Sequence, residues 1–202
     1  MLNAKRVFHR NIQQANELGV LYDHLSTIVA MPVPFDDLLR SQVVHAVSAL
    51  DKLIHDLLRI GMVRIFENKK PSTGKYLTET VAIQQLPELA ANAIPPPPVR
   101  FEEIIREKLS KLSFQDPTRI ADGLSYIWNE NHKWKLIAHG LGMSEEDARR
   151  KQKLIVTRRN AIVHESDLDP VTSQKQTITR TEARDIADFQ LALGDQICNL
   201  VV

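Results

Sequence analysis

The stretch FDDLLRSQVVHAVSALDKLIHDLLRIGMVRIFE, residues 35–67, decides the fold. Leu39, Val43, Ala46, Leu50, Leu53, Leu57 and Ile60 recur in alternating steps of four and three. That period predicts a long amphipathic helix with a heptad-like seam. Asp36 and Asp37 fall near its start, where the helix dipole favours acids. Val44, Val47, Ile54 and Leu58 lie beyond the seam. They predict a second apolar surface, enough to pack a partner as well as the helix's own bundle.

Working outward, residues 3–29 predict a helix through Val7, Ile12, Ala15, Leu18, Leu21, Leu25 and Ile28, ended by Pro32 and Pro34. KKPSTGKY at 69–76 reads as a loop, and a short helix is predicted over 79–92. Pro95 to Pro98 form a tetraproline, expected to be an extended spacer or strap. Phe101, Ile104, Ile105, Leu109 and Leu112 mark a further helix, and Pro117 opens another expected to run to about Asn131. A short helix is predicted at 133–141. Ser144-Glu145-Glu146-Asp147 is a capping signature for a helix running to about His164. A last helix, about 180–200, follows a capping Thr. There is no repeat, no sustained strand alternation and no Gly-rich phosphate loop. The expectation is an all-α bundle, one domain over 1–202, with about 69–142 as a helical insertion that elaborates it.

Composition agrees. The chain has 202 residues, 43% hydrophobic and 25% charged, which excludes a largely disordered chain. Seven glycines are few for an all-β fold. With a net charge of +1, a nucleic-acid surface has to come from uneven placement of charge. The single cysteine, Cys198, excludes an internal disulfide and a Cys-cluster zinc site, so a reducing, cytoplasmic setting is expected. No apolar run approaches the roughly 20 residues of a spanning helix, and no membrane role is expected. The basic start MLNAKRVFHR admits a transit peptide, but it reads better as the first core helix.

The segment RRNAIVH, Arg158 to His164, is the most informative for chemistry. With 14 Arg and 7 His in the chain, an Arg, four residues and a His match by chance about 0.5 times. Arg40…His45 also fits and reads as structural, because it lies mid-helix beside Val43 and Val44. Requiring Asn after the Arg lowers the expectation to about 0.02, and only Arg159-Asn160…His164 passes.

This segment resembles the motif of the HEPN superfamily, whose ribonuclease members carry an Arg, a polar residue, a short spacer and a His. LLRSQVVHAVSALDKLIHDLLR, Leu38 to Arg59, is similar to the first long bundle helix of the RiboL-PSP branch, and RRNAIVHESD, Arg158 to Asp167, to its motif helix. The tetraproline segment has no counterpart in that pattern. The resemblance implies a dimerising helical bundle that places two Arg–His motifs in one cleft. It further implies RNA cleavage without a metal or cofactor, in a toxin or antiviral-defence setting with an antitoxin or defence-system partner. Some members have lost catalysis and act as binding modules, which is the alternative.

The residue types suit that chemistry. RNA carries its own nucleophile, the ribose 2′-OH. His is suited to proton transfer near neutral pH. Arg presents a planar fork to phosphate oxygens, and Asn160 can fix the phosphate or orient the His. Asn160 and His164 share a helix face, whereas Arg159 and His164 lie about 140° apart around the helix. Two copies facing each other would complete one site. Arg149, Arg150, Lys151, Lys153, Arg158 and Arg159 concentrate positive charge on this helix; Arg149, Arg150, Lys153 and Arg158 are the expected RNA contacts. Asp51 and His55 either line the cleft or form a surface pair. Glu165 and Asp167 either polarise His164 or merely follow the helix end. His132 and His139 lack further ligands nearby, so no metal site is expected. Trp128 and Trp134 read as packing, and a helical adaptor engaging a partner through the tetraproline is a third reading.

Overall fold

The computed structural model describes residues 1–28, 35–90 and 94–201. Eight α-helices are described: α1 (Leu2–Ile28), α2 (Asp36–Phe66), α3 (Gly74–Leu77), α4 (Pro97–Leu109), α5 (Pro117–Leu124), α6 (Lys133–Gly140), α7 (Glu145–His164) and α8 (Arg180–Val201). Two 3-10 turns, Ile83–Gln85 and Pro87–Leu89, sit between α3 and α4. No strand occurs among the described residues, only an isolated bridge between Leu168 and Lys175. The fold is the expected all-α bundle.

The long helix α2 is the spine. It packs against α1 and α8 on one side, and α4, α5 and α7 also contact it. Its seam residues Leu39, Val43, Ala46, Leu50, Leu53 and Leu57 are fully buried or nearly so. Val47, Ile54 and Leu58 are also completely buried, and only Val44 stays half-exposed. The second apolar surface of α2 is thus consumed inside this chain and is not left for a partner. The middle segment takes part of it. Ile127 closes over Gly61, and Phe114 and Leu58 meet at Gly123, positions where a Cβ would come within 3.1 Å of those side chains.

The helix ends follow local chemistry. Asp116 accepts a hydrogen bond from Thr118 N with Pro117 at the first helical position of α5. Ser144 accepts from Asp147 N at the start of α7. Thr179 accepts from Glu182 N at the start of α8. Asn68, in the left-handed region, ends α2 while Lys69 N reaches back to Arg64 O.

The middle segment differs from its sequence reading in four places. The helix expected over 79–92 is two 3-10 turns, and 91–93 lie outside the described residues. Pro87 opens the second turn, and its missing N–H prevents a continuous ladder. The tetraproline is not a free strap, because Pro97 and Pro98 are the first residues of α4. The helix after Pro117 stops at Leu124, with turns following to Ile127. KKPSTGKY is a loop only to Thr73, whose hydroxyl caps α3. Pro32 and Pro34 lie outside the described residues.

Cys198 is buried on α8, and burial pushes its thiol up to about 11. A neutral, enclosed thiol is a poor nucleophile. The native protein at pH 8 should therefore react with Ellman's reagent only as it unfolds, with reaction following the loss of helical circular dichroism. Immediate stoichiometric reaction in buffer would contradict this placement.

Candidate functional site

The carboxylate of Asp167 fixes the geometry around the motif. It is fully buried three residues beyond the end of α7. Arg40 of α2 donates to it from Nε at 2.7 Å, and Arg158 Nη1 of α7 approaches its other oxygen at 2.7 Å as an ion pair. Arg40 also donates to Gln176 O at 2.6 Å, and Arg158 to Gln176 Oε1 and Thr177 O at 2.7 and 2.9 Å. These bonds fasten the 165–179 connection onto α2 and α7. To reach this position Ser166 and Asp167 both adopt positive φ, +53° and +59°, a conformation that costs non-glycine residues on the order of 1 kcal/mol or more each. The buried ion pairs hold it.

The expected site residues fall into distinct places. Asn160 and His164 are exposed on one face of α7, and His164 is its last residue. Arg159 is half-buried, with Nη1 donating to Asn160 Oδ1 at 3.1 Å. Its Nε is buried without a hydrogen-bond partner. Arg159 and Asn160 line a groove of about 310 Å³ between α7 and the 110–116 connection, whereas His164 does not line it. Within one chain the Arg and His of the motif thus address different spaces, as their five-residue separation predicts. Glu165 is exposed just past the helix end, with its backbone N–H donating to Ala161 O.

The six positive charges of α7 do not form one face. Arg158 is turned inward to Asp167, so the expected RNA contact is an internal structural one. Arg149 pairs with Glu145 at 3.4 Å and Arg150 with Asp147. Lys151 lies over the Phe189 ring, 4.6 Å from its centroid. Lys153 is exposed and has no acidic partner among the described residues.

Asp51 neither lines the motif nor forms a simple surface pair. Its two oxygens accept from Phe114 N at 2.7 Å and Gln115 Nε2 at 3.0 Å, anchoring the 110–116 connection. His55 lies 3.7 Å from Asp51 and meets Phe114 edge-on, with ring centroids 4.8 Å apart. A buried polar chain continues from that connection. Gln115 O accepts from Gln152 Nε2 at 2.8 Å, and Gln152 Oε1 from Gln190 Nε2 at 2.7 Å. Arg40 is structural, as expected, while His45 is exposed in a second groove beside Val44 and Ile162. Trp134 is buried with Nε1 donating to Pro117 O, and His132 and His139 are both exposed. No group of three or more His, Cys, Asp or Glu is gathered for a metal among the described residues.

Two features escaped the sequence reading. The groove's far wall, with Lys111, Ser113 and Arg119, comes from the middle segment, and the turn that brings Lys111 and Ser113 to α7 carries no periodic signal. The inward turn of Asp167 had one available signal: an Arg at position 40, inside an apolar helix, requires an acid from elsewhere.

Comparison with known proteins is consistent with this architecture. The RiboL-PSP-HEPN family matches residues 9–202, nearly the whole chain. No curated protein matches the chain, and no solved structure does. The protein belongs to the RiboL-PSP branch of the HEPN superfamily. That membership supports an RNA-related role. None of the described helices is long and apolar enough to cross a membrane.

Removing the Asp167 carboxylate takes the shared counter-charge from the buried Arg40 and the largely buried Arg158. Asp167→Ala should lower the unfolding free energy by about 3–5 kcal/mol, read by urea denaturation. Glu165→Ala, on an exposed side chain two residues away, should shift it by no more than about 0.5 kcal/mol. Equal small effects at both positions would contradict the ion-pair account.

Proposed function

We propose that this protein is an endoribonuclease that cleaves RNA through attack of the ribose 2′-OH, without a metal or cofactor, using Arg159, Asn160 and His164. The observation that carries the reading is the placement of the motif. An exposed His and Asn share one face at the end of α7, and an Arg with a buried, unpartnered Nε sits beside them. A side chain retained for packing has no need of this arrangement.

In this mechanism RNA supplies the nucleophile. His164 takes the 2′-OH proton or donates one to the departing 5′-oxygen. Arg159 binds the phosphate oxygens and offsets the charge that grows on the phosphorane. Asn160 hydrogen-bonds the scissile phosphate or orients His164, which lies on its own helix face. The new bond joins the 2′-oxygen to phosphorus and the P–O5′ bond breaks. The products are a 2′,3′-cyclic phosphate, or the 3′-phosphate after hydrolysis, and a 5′-hydroxyl.

The separation of Arg159 from His164 within one chain favours a symmetric homodimer. Two copies of α7 facing each other supply both residue types around one phosphate. A cytoplasmic toxin or antiviral-defence effector, restrained by an antitoxin or partner protein, is the setting that the family resemblance favours. The same separation also favours a second reading, a non-catalytic module that binds RNA or protein, if the two motifs never meet.

Incubation of the pure protein with total RNA in EDTA discriminates these readings. The wild type should cut, and His164→Ala should lower the rate by about 10²–10⁴-fold with an unchanged urea midpoint. Arg159→Lys should also fail, because an ammonium cannot present the planar fork. Light scattering at assay concentration should give the mass of a dimer. Cutting by His164→Ala at the wild-type rate, or activity that vanishes in chelator and returns with Mg²⁺, would overturn the mechanism. An active strict monomer would overturn the shared site.

A further inference from the structure

We propose that the groove between α7 and the 110–116 connection is a phosphate subsite for the RNA strand, adjoining the cleavage point and formed by Lys111 and Arg119 together with Arg159. The inference rests on the endoribonuclease reading and deepens it: it assigns substrate binding to the middle segment, which otherwise has only a structural part.

Three cations line the groove, and they come from three places in the chain: Lys111 after α4, Arg119 in α5 and Arg159 in α7. Arg119 is exposed and has no acidic partner among the described residues. Lys111 has only a 3.6 Å contact with Glu107, in which both side chains are more than 70% exposed; such a pair contributes little and is easily exchanged for a phosphate. The one acid lining the groove, Asp116, is engaged at the start of α5 by Thr118 N. Ser113 and Asn160 add neutral hydrogen-bonding groups, and Leu112, 41% exposed, offers an apolar edge to a ribose or base.

The wall is also held in place. Phe114 and Gln115 are fixed to α2 by both oxygens of Asp51, and Gln115 O is fixed to α7 by Gln152. A connection bonded to both α2 and α7 at Phe114 and Gln115 carries Ser113 and Lys111 beside Arg159, which suits a binding site better than a mobile loop does. Arg159 belongs to the motif and lines the groove, so the groove adjoins the point of cleavage. His164 lies four residues beyond Asn160, about 6 Å along the helix, and outside the groove. An RNA strand whose scissile phosphate sits near His164 therefore places a neighbouring phosphate in the groove.

The test uses a short, fluorescein-labelled 2′-O-methyl oligoribonucleotide, which binds but lacks the nucleophile for cleavage. Binding is followed by anisotropy across a salt series for the wild type, Lys111→Gln, Arg119→Gln, the double variant and His164→Ala, with Arg10→Gln on α1 as a surface control. Each lost phosphate contact should reduce the slope of log K against log salt by about 0.7, so the double variant should lose about 1.4 and bind more than tenfold more weakly at low salt. His164→Ala and Arg10→Gln should keep the wild-type slope. On unmodified RNA the double variant should show a raised KM with kcat retained. If the wild type cuts RNA while the double variant keeps its slope and KM, the subsite is wrong and the endoribonuclease reading stands. If the wild type neither binds nor cuts RNA, the endoribonuclease reading fails and the subsite falls with it.

Discussion

A single buried carboxylate, that of Asp167, sets the relation between the spine of the bundle and the end of the motif helix. It lies between Arg40 on α2 and Arg158 on α7, with no exposure to solvent. Burying three charged groups is costly, and the arrangement holds because each guanidinium also finds oxygen acceptors in the 176–177 backbone and side chain. The consequence is directional. With the chain after α7 turned inward at Ser166 and Asp167, the helix ends at His164 and leaves its imidazole outside. The adjacent arginines thus have opposite tasks: Arg158 is part of the fold, and Arg159 remains to face the groove.

A second polar linkage works in parallel on the other side of α7. Asp51, the 110–116 connection, Gln152 and Gln190 form a chain that joins α2, α7 and α8 through buried hydrogen bonds. Such bonds are modest individually but expensive to leave unmade in an apolar interior. They explain why the middle segment does more than elaborate the surface. It covers α2 at Leu58 and Gly61, and it supplies one wall of the groove beside the motif.

What was legible in the sequence was what periodicity and capping encode. The α2 seam, the Ser144 cap, the Pro117 start and the Thr179 cap all come from local rules, and the structure keeps them. The end of α2's apolar surface was less legible. Val47, Ile54 and Leu58 look available in one dimension, and only the tertiary structure shows that they are taken, Leu58 against Gly123 of α5. Charge is the least legible. Six cations on one helix suggest a basic face, yet Glu145, Asp147 and Asp167 neutralise three of them through contacts that depend on side-chain direction. Conversely, Lys111 and Arg119 are ordinary surface residues in sequence and become neighbours of Arg159 only through tertiary structure.

We propose that Arg159 and His164 serve transfer chemistry in which the RNA's own 2′-hydroxyl is the nucleophile. The chemistry of the cut ends tests this most directly. RNA cleaved by the wild-type protein should carry 2′,3′-cyclic phosphate or 3′-phosphate on one fragment and 5′-hydroxyl on the other, resolved by mass spectrometry and by labelling with polynucleotide kinase. Fragments ending in 3′-hydroxyl and 5′-phosphate would show that water or another nucleophile attacked the phosphate, and would contradict the role given to the motif.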